Sequence, residues 1–457
     1  MWLIVLIIIT ALFLGISLYI SDYDIMHPSV VFNLFFGICE LICLLFKNEY
    51  SIELHPNSVV VIILGEFIFL VMTVFSRTIK SSAKCNYLDE ITVAKIEVKK
   101  ELVIGLIMCQ LISIAFFIMY IRAISLKYVG SASSLGSMIN VYDQANKFFK
   151  KELATIPIPL AYRLLNPINI AGSHVIVYIL INNWVAEKKV DPLHLASSLL
   201  LVFSYVLNGS RTPIFRLITL ILIQYYILYF KRKNKRINTR FIIRLFIIAV
   251  VTIILMFLIL IFAGRLSEDS DYKYTDFIFV YLGAPIVNLD NWLANPEIYE
   301  EISWPGVHVF GGIYSFLADT FHLDSLHFKT ILVFKSSESG KFLGNVYTMF
   351  YSIVYDFGII GIIPVVGIMG AFYCFMYDRM FHKQIRTNTF NMKLFVYSYM
   401  FNDLIMSIFS TRFFETILDR GVIRIFILAY ILEKLFLEEK LPFFSKHLRI
   451  TKFRVTQ

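Results

Sequence analysis

Charged residues are scarce in this chain, which excludes an ordinary soluble protein. Asp, Glu, Lys and Arg make up 16% of its 457 residues, and hydrophobic residues make up 58%. A soluble globular domain has about 25% charged and about 45–50% apolar residues. Several apolar runs are long enough, at about 20 residues each, to cross a bilayer as helices. The sequence therefore predicts an all-α polytopic membrane protein, with residues 1–457 forming a single integral membrane domain.

Cysteine is also scarce, and no two cysteines form a CxxC pair. Cys85 lies in a basic loop, and the other four lie in apolar runs: Cys39, Cys43, Cys109 and Cys374. This pattern is not that of a disulfide framework or a zinc site. The longest polar loop contains no HExxH-type ligand spacing, so a catalytic metal is not indicated.

The apolar runs predict about eleven transmembrane helices, within a range of ten to twelve. The predicted runs are 2–20, 30–46, 58–75, 102–121, 167–185, 193–208, 213–230, 241–263, 357–378, 393–410 and 419–437. The first run has no basic n-region and no A-x-A-like cleavage site, so we expect a retained helix rather than a signal peptide. A further helix before residue 76 is an alternative that would give twelve helices with both ends inside.

The positive charge of the chain predicts its orientation rather than a nucleic-acid partner. The formal net charge is +9, and the Lys and Arg residues cluster in loops between apolar runs. Such loops are cytoplasmic by the positive-inside bias, and the segment 231–244 (KRKNKRINTRFIIR) is the most basic. Alternation places one large loop, 264–343, outside together with the N-terminus. The same alternation places the basic loop 122–166 outside. This placement is compatible with its charge, because long loops do not follow the bias.

The stretch 344–370 (GNVYTMFYSIVYDFGIIGIIPVVGIMG) places polar groups beside a spanning run. If its first part is helical, four polar residues lie on one face: Asn345, Thr348, Ser352 and Asp356. A carboxylate at this position is costly to bury unless it is paired. We expect this face to line an external chamber. The segment 345–356 is either an extension of the following helix or a separate short helix that breaks at 356–358.

The segment 208–216 (NGSRTPIFR) has the chemistry of an anion site. Thr212 is a good N-cap and Pro213 a good first helical residue, so Arg211 lies just outside a helix N-terminus. The guanidinium and the positive end of the helix dipole together suit a diphosphate. Arg265 is expected at the same membrane face. The simpler interpretation of both arginines is anchoring at the lipid headgroups.

The external loop is rich in aromatic and acidic residues, a composition that suits carbohydrate binding or a membrane-interface belt. Its histidines are His308, His322 and His327. A histidine is a general base suited to neutral pH, although packing is the commoner role. For Arg412 and Arg420, ion pairs with the nearby Glu415 and Asp419 are the preferred interpretation.

Intramembrane carboxylates favour a different function. Glu40 and Glu66 lie on neighbouring predicted helices, and Asn402 and Asp403 lie in a later one. Charges at that depth usually face a cavity or pair with each other. Glu40 and Glu66 therefore form the main support for a proton or ion path in a transporter.

Two segments together resemble the Wzy-type polymerases of O-antigen and oligosaccharide repeat units. NGSRTPIF heads one helix, and GNVYTMFYSIVYDFGIIG follows the long external loop. These bacterial inner-membrane proteins similarly have many helices and one large periplasmic loop in the second half, resembling the GT-C-like plan of membrane glycosyltransferases. The resemblance covers residues 200–380 in detail and the rest in architecture. The pair of R-x10-G motifs described for some polymerases has no clear counterpart here.

The resemblance implies that undecaprenyl-diphosphate-linked oligosaccharide units are polymerised at the periplasmic face. The growing glycan leaves its lipid diphosphate for a sugar hydroxyl of the next unit, without nucleotide sugar, metal or other cofactor. A chain-length regulator protein in the membrane is an implied partner. Cations and helix N-termini stabilise a departing diphosphate, and an acceptor hydroxyl needs a base.

The predicted site residues form two groups. The predicted substrate-binding residues are Arg211, Arg265, Asn345, Thr348 and Ser352. The predicted acid–base residues are Asp356, which either takes the proton or orients its helix, and the rival bases His308 and His322. Two other functions stay open: an O-antigen ligase, which differs in its acceptor, and a lipid-linked oligosaccharide flippase or other transporter. A single large loop with no second copy of either motif disfavours the two related halves common in transporters.

Overall fold

The computed structural model describes residues 1–81, 93–148, 156–209, 211–233, 274–296, 304–326, 332–382, 390–417 and 419–437. In these residues most of the chain is helical, and strands are confined to one short hairpin. Eight of the described helices precede residue 234: α1 (Trp2–Ile20), α2 (Pro28–Leu45), α3 (Pro56–Ser81), α4 (Lys100–Val129), α5 (Leu135–Phe148), α6 (Leu160–Glu187), α7 (Pro192–Leu207) and α8 (Thr212–Lys233).

The described residues after 273 form eight further helices, several of them short. The helices are α9 (Tyr274–Leu282), α10 (Ala284–Ala294), α11 (Gly311–Phe321), α12 (Met349–Phe357), α13 (Ile362–His382), α14 (Met392–Ile405), α15 (Arg412–Ile417) and α16 (Arg420–Phe436). Short 3-10 turns occupy Asp324–Leu326, Ile359–Gly361 and Met406–Ile408. Strands β1 (Lys335–Ser336) and β2 (Phe342–Gly344) form one antiparallel hairpin.

The prediction of an all-α polytopic membrane protein is confirmed at this level. Seven described helices are long and apolar enough to cross a bilayer, and an eighth span results if the bent pair α9–α10 counts as one. Helix α7 is apolar but shorter, at Pro192–Leu207. The predicted helix 241–263 lies outside the described residues, so the predicted count of eleven stays a prediction.

Helices also occur where the sequence predicts loops. Helix α5 lies within the basic segment 122–166, and α9, α10 and α11 lie within 264–343. Helices α9 and α10 are bent by 55° at Gly283. Pro285 in the first turn of α10 starts a new helix there, because proline cannot continue the hydrogen bonding of the preceding one. Neither helix of this pair, at 9 and 11 residues, is long enough to cross a bilayer by itself, and the sequence therefore predicts a loop here.

The chain forms two compact units, and the first one contains Met1–Asp89, Asp269–Gln384 and Tyr397–Val422. In this unit α3 packs along α13, and α1 packs against α2 and α3. Close approach depends on small residues: a side chain at Gly65 of α3 would overlap the ring of Phe350 in α12. Phe350 in turn contacts Phe36 of α2. Helix α12 is thus held against the membrane helices of the first unit.

The second unit contains Glu90–Glu268, Ile385–Val396 and Ile423–Gln457. Helix α4 packs against α5, α6 and α7, and α6 packs against α8. Asn183 of α6 binds the extended segment before α4: its side-chain oxygen accepts from the Ile96 amide at 2.8 Å, and its side-chain nitrogen donates to the Ile96 carbonyl at 2.9 Å. Buried amides therefore satisfy backbone groups that would otherwise lack partners in an apolar interior.

Candidate active site

Helix α12 is the short helix that contains Asp356. It begins after the N-cap residue Thr348 and ends at Phe357. Gly358 follows with φ +66° and ψ −176°, a conformation that is essentially restricted to glycine. A 3-10 turn and the spanning helix α13 come next. The predicted break at 356–358 is confirmed, and 349–357 is a separate helix.

The predicted polar face of this helix is only partly formed. The prediction that Asn345 belongs to it is wrong, because Gly344 ends strand β2 with φ +76° and the helix begins at Met349. The Asn345 side chain instead donates to the Leu332 carbonyl at 3.4 Å. Ser352 is buried within α12, and the buried Thr348 hydroxyl has no hydrogen-bond partner in the described part of the chain.

Asp356 and His308, predicted as rival bases, contact each other. His308 Nδ1 lies 2.7 Å from Asp356 Oδ1, and the Val309 amide donates to Asp356 Oδ2 at 2.8 Å. The side chain of His308 is 3% exposed and that of Asp356 is 0% exposed. With hydrogen on Nδ1, His308 donates to the carboxylate, and Nε2 is then the ring nitrogen that can accept a proton.

Aromatic rings cover this pair. The Tyr355 ring centroid lies 4.2 Å from that of His308. Trp292 of α10 stacks on Tyr355 at 5.8 Å, and its ring meets Tyr351 edge-on at 4.8 Å. The buried pair and the aromatic rings thus join α10, α12 and the turn at 304–310 into one wall.

His322 takes a different position from the two residues of this pair. It is exposed and ends α11 in the left-handed conformation, with φ +56°. Both Asp356 oxygens are engaged by the segment 308–309. The structure therefore brings His308, and not His322, to the carboxylate. Arg412 pairs with Glu415 at 3.0 Å, which confirms the predicted ion pair.

A second Asp–His pair lies in the same unit, between His55 and Asp290. His55 directly precedes α3, and its Nδ1 lies 2.9 Å from Asp290 Oδ2. The His55 amide donates to Asp290 Oδ1 at 2.8 Å, and the Ser58 hydroxyl donates to the same oxygen. The His55 side chain is 56% exposed, whereas the Asp290 side chain is 1% exposed. A buried carboxylate therefore holds an accessible imidazole at the N-terminus of a spanning helix.

The surroundings of His55 favour its protonated form. The hydrogen bond to Asp290 and the negative charge of Asp290 raise the pKa of His55 above its ordinary value, with smaller contributions from Glu338 and Glu53. Partial desolvation lowers this pKa without cancelling the effect. Neither His55 nor Asp290 stands out in the sequence, because 235 positions separate them and each looks ordinary in its own segment.

Helix α10 connects the two pairs. Asp290 contacts His55, and two residues later Trp292 packs on the tyrosines of α12. Asn288 of the same helix donates to the Val346 carbonyl at 2.9 Å, in the segment just before α12. The loop 46–55 and the β-hairpin also meet, since Lys341 pairs with Glu49. Segments that are distant in sequence thus converge at one end of α3.

The predicted anion site cannot be assembled from the described residues. Arg211 belongs to the second unit, is partly buried and immediately precedes α8; its carbonyl accepts from the Phe215 amide at 3.0 Å. The helix therefore starts at Thr212, one residue earlier than predicted. Arg265 lies outside the described residues.

The intramembrane carboxylates Glu40 and Glu66 also meet. Thr10 Oγ1 lies 2.9 Å from Glu40 Oε1 and 2.9 Å from Glu66 Oε2. All three residues are buried, on α1, α2 and α3. One hydroxyl donates a single hydrogen, so it cannot satisfy both carboxyl groups at once. The prediction that these two glutamates lie on neighbouring helices is confirmed.

Compared with known protein families, curated proteins and solved structures, the chain matches none of them.

Proposed function

We propose that this protein polymerises oligosaccharide repeat units linked to undecaprenyl diphosphate, as a metal-independent glycosyltransferase of the bacterial inner membrane. Its reaction would occur at the periplasmic face and produce O-antigen or a related surface polysaccharide. The observation that carries the proposal is the Asp356–His308 pair. It gives a physical role to the aspartate of the DFG segment, on which the resemblance to Wzy-type polymerases depends.

The burial of this pair favours a positioning role. Asp356 accepts hydrogen bonds from His308 and from the Val309 amide, and neither side chain is accessible. Removing one partner leaves a buried polar group short of a hydrogen bond, which costs about 1–3 kcal/mol. The pair therefore holds the 304–310 turn against α12, beside Tyr355, which is the partly exposed ring of this aromatic group. Arg211 and Arg265 remain the proposed ligands of the lipid diphosphate.

The gel pattern of surface glycan in a deletion strain tests the function. A strain without this protein should make glycan capped with a single repeat unit and no long ladder. Loss of all surface glycan, including the single-unit form, would instead identify a ligase or a flippase. The same gel therefore separates the polymerase from both alternatives.

Complementation with variants tests the residues. Arg211→Ala and Asp356→Ala should fail to restore the ladder while the protein still reaches the membrane, which immunoblotting of membrane fractions checks. Glu97→Gln is the matched control, because that side chain is 84% exposed on a loop segment. Wild-type ladders from both alanine variants would contradict the assignment of these residues.

A further inference from the structure

Of the two Asp–His pairs, only the His55–Asp290 pair is accessible in the described residues. The imidazole of His55 is 56% exposed, while that of His308 is 3% exposed. A general base must come within hydrogen-bond distance of the proton it removes, at about 2.6–3.2 Å. Among the described residues the imidazole of His55 is open to a ligand, whereas that of His308 is enclosed beside the Tyr355 ring.

We propose that His55 is a catalytic base for a carbohydrate hydroxyl and that Asp290 is the residue that positions it. The inference rests on the proposed glycosyl transfer. In that reaction the acceptor oxygen forms a bond to the anomeric carbon of the donor glycan. The bond from that carbon to the diphosphate breaks, and the lipid diphosphate leaves with the electron pair. The acceptor proton passes to His55 Nε2.

The contacts of Asp290 fix the tautomer that this step needs. Asp290 Oδ2 faces His55 Nδ1, so Nδ1 carries hydrogen and Nε2 is the proton acceptor. The second oxygen, Oδ1, receives the His55 amide and the Ser58 hydroxyl. These donors hold the carboxylate in place at the start of α3. A positioned carboxylate behind a histidine is the arrangement that activates bases in unrelated enzymes.

The groups around the imidazole suit a neutral polyhydroxylated substrate. The titratable groups acting on His55 are Asp290 on α10, Glu338 in the hairpin turn and Glu53 in the preceding loop, and all three are acidic. Tyr50, in that same loop, stacks on Phe279 of α9. Carboxylates accept hydrogen bonds from sugar hydroxyls, and the negative charge disfavours the diphosphate itself. We therefore assign the acceptor sugar, rather than the lipid diphosphate, to this location.

Complementation of the deletion strain tests the catalytic role. His55→Ala and His55→Gln should reach the membrane and lower the rate of chain extension about 10²–10⁴-fold, the usual contribution of a general base. Glu97→Gln serves again as the control. Wild-type ladders from both His55 variants, in a strain whose deletion removes the ladder, would overturn the inference and leave the polymerase intact. A deletion that removes all glycan would instead contradict the proposed function.

The pH dependence of histidine modification provides a readout that needs no activity. Diethyl pyrocarbonate reacts with neutral imidazole, so peptide mass spectrometry against pH reports the apparent pKa of His55. Since Asp290 raises this pKa, Asp290→Asn should move the midpoint of modification to lower pH. Glu338→Gln, at an exposed position, should cause a smaller shift in the same direction and keeps the test valid if Asp290→Asn fails to fold. Unchanged midpoints in both variants would overturn the assigned pair.

The rate of glycan chain extension should also depend on pH. Wild-type membranes should extend the glycan faster as the pH rises through the midpoint of His55 modification, because only the neutral imidazole accepts a proton. In Glu338→Gln membranes this rise should begin at lower pH. A purely structural role for His55 would leave the two pH profiles identical, and that result would contradict a catalytic one.

Discussion

The buried carboxylates Asp356, Asp290, Glu40 and Glu66 of the first unit are compensated in two different ways. Asp356 accepts from a histidine and a backbone amide, and Asp290 accepts from a histidine, a backbone amide and a hydroxyl. Glu40 and Glu66 instead share the Thr10 hydroxyl. Two adjacent negative charges at bilayer depth are very costly. We therefore expect the glutamate pair to be held together by hydrogen bonds between uncharged groups.

This expectation predicts that Glu66→Gln is tolerated. The amide keeps the shape and the hydrogen-bonding capacity of a neutral carboxyl group, so the melting temperature of the detergent-solubilised protein should stay close to wild type. Glu66→Ala removes the group and leaves a cavity, which should destabilise the protein by about 2–5 kcal/mol. Differential scanning fluorimetry measures both.

The same pair of variants distinguishes a structural pair from a proton path. If Glu40 and Glu66 carried protons in a transporter, Glu66→Gln would remove all surface glycan although the protein remained stable. A normal ladder from stable Glu66→Gln protein supports the polymerase, and loss of all glycan supports the flippase alternative.

At the scale of elements, the break between α12 and α13 determines the direction in which the Asp356 side chain points. Helix α12 is only nine residues long and ends where Gly358 takes a positive φ. The chain then re-enters a helix through a 3-10 turn. Without this break, Asp356 would lie on one continuous helix with α13, and its carboxylate would point in a different direction. It would then not make the same contacts with the segment 308–309.

Gly358→Ala should therefore destabilise the protein through backbone strain alone. A Cβ at this position meets no atom within 4 Å, so the cost comes from the conformation, at about 1–3 kcal/mol. Gly311→Ala is the matched control, because a Cβ there also meets no atom and its φ is not positive. Thermal melting of both variants provides the comparison. Equal melting temperatures would show that the positive φ is not needed.

At the scale of the whole molecule, the basic loops predict the orientation in the membrane. The predicted topology puts the loop between α2 and α3 and the segment 264–343 on the same external side. Contacts within the first unit agree with this placement, since His55 meets Asp290 and Lys341 meets Glu49. Residues on opposite sides of a bilayer could not make these contacts.

Cysteine labelling tests this orientation. In a background without the native cysteines, Trp304→Cys should react with a membrane-impermeant maleimide added to intact spheroplasts, because Trp304 is 43% exposed in the predicted external segment. Glu97→Cys, on the predicted cytoplasmic side, should react only after the membrane is opened. Labelling of position 97 but not 304 in sealed spheroplasts would reverse the topology.

Much of the fold was predictable, because apolar runs report directly on membrane helices. The predicted run 2–20 coincides with α1, and 193–208 differs from α7 by one residue at each end. The short helices α5, α9, α10 and α11 were not predicted as helices, because each of them, at 9 to 14 residues, is shorter than a membrane span of about 20 residues. Of the site, Asp356 and His308 were predicted separately, and their contact was not.

The order of residues alone establishes that this chain crosses a membrane through many helices, and it offers the break at 356–358 as one of two alternatives. Hydropathy is a property of a short segment of sequence, so no tertiary contact is needed to predict membrane helices from it. The pairing of Asp356 with His308, and of Asp290 with His55, depends on the tertiary fold. Asp356 and His308 are 48 positions apart, and Asp290 and His55 are 235 positions apart. No local sequence pattern shows that residues so far apart will pair, and only tertiary packing decides which of them make contact. The difference between a buried and an accessible histidine arises in the same way.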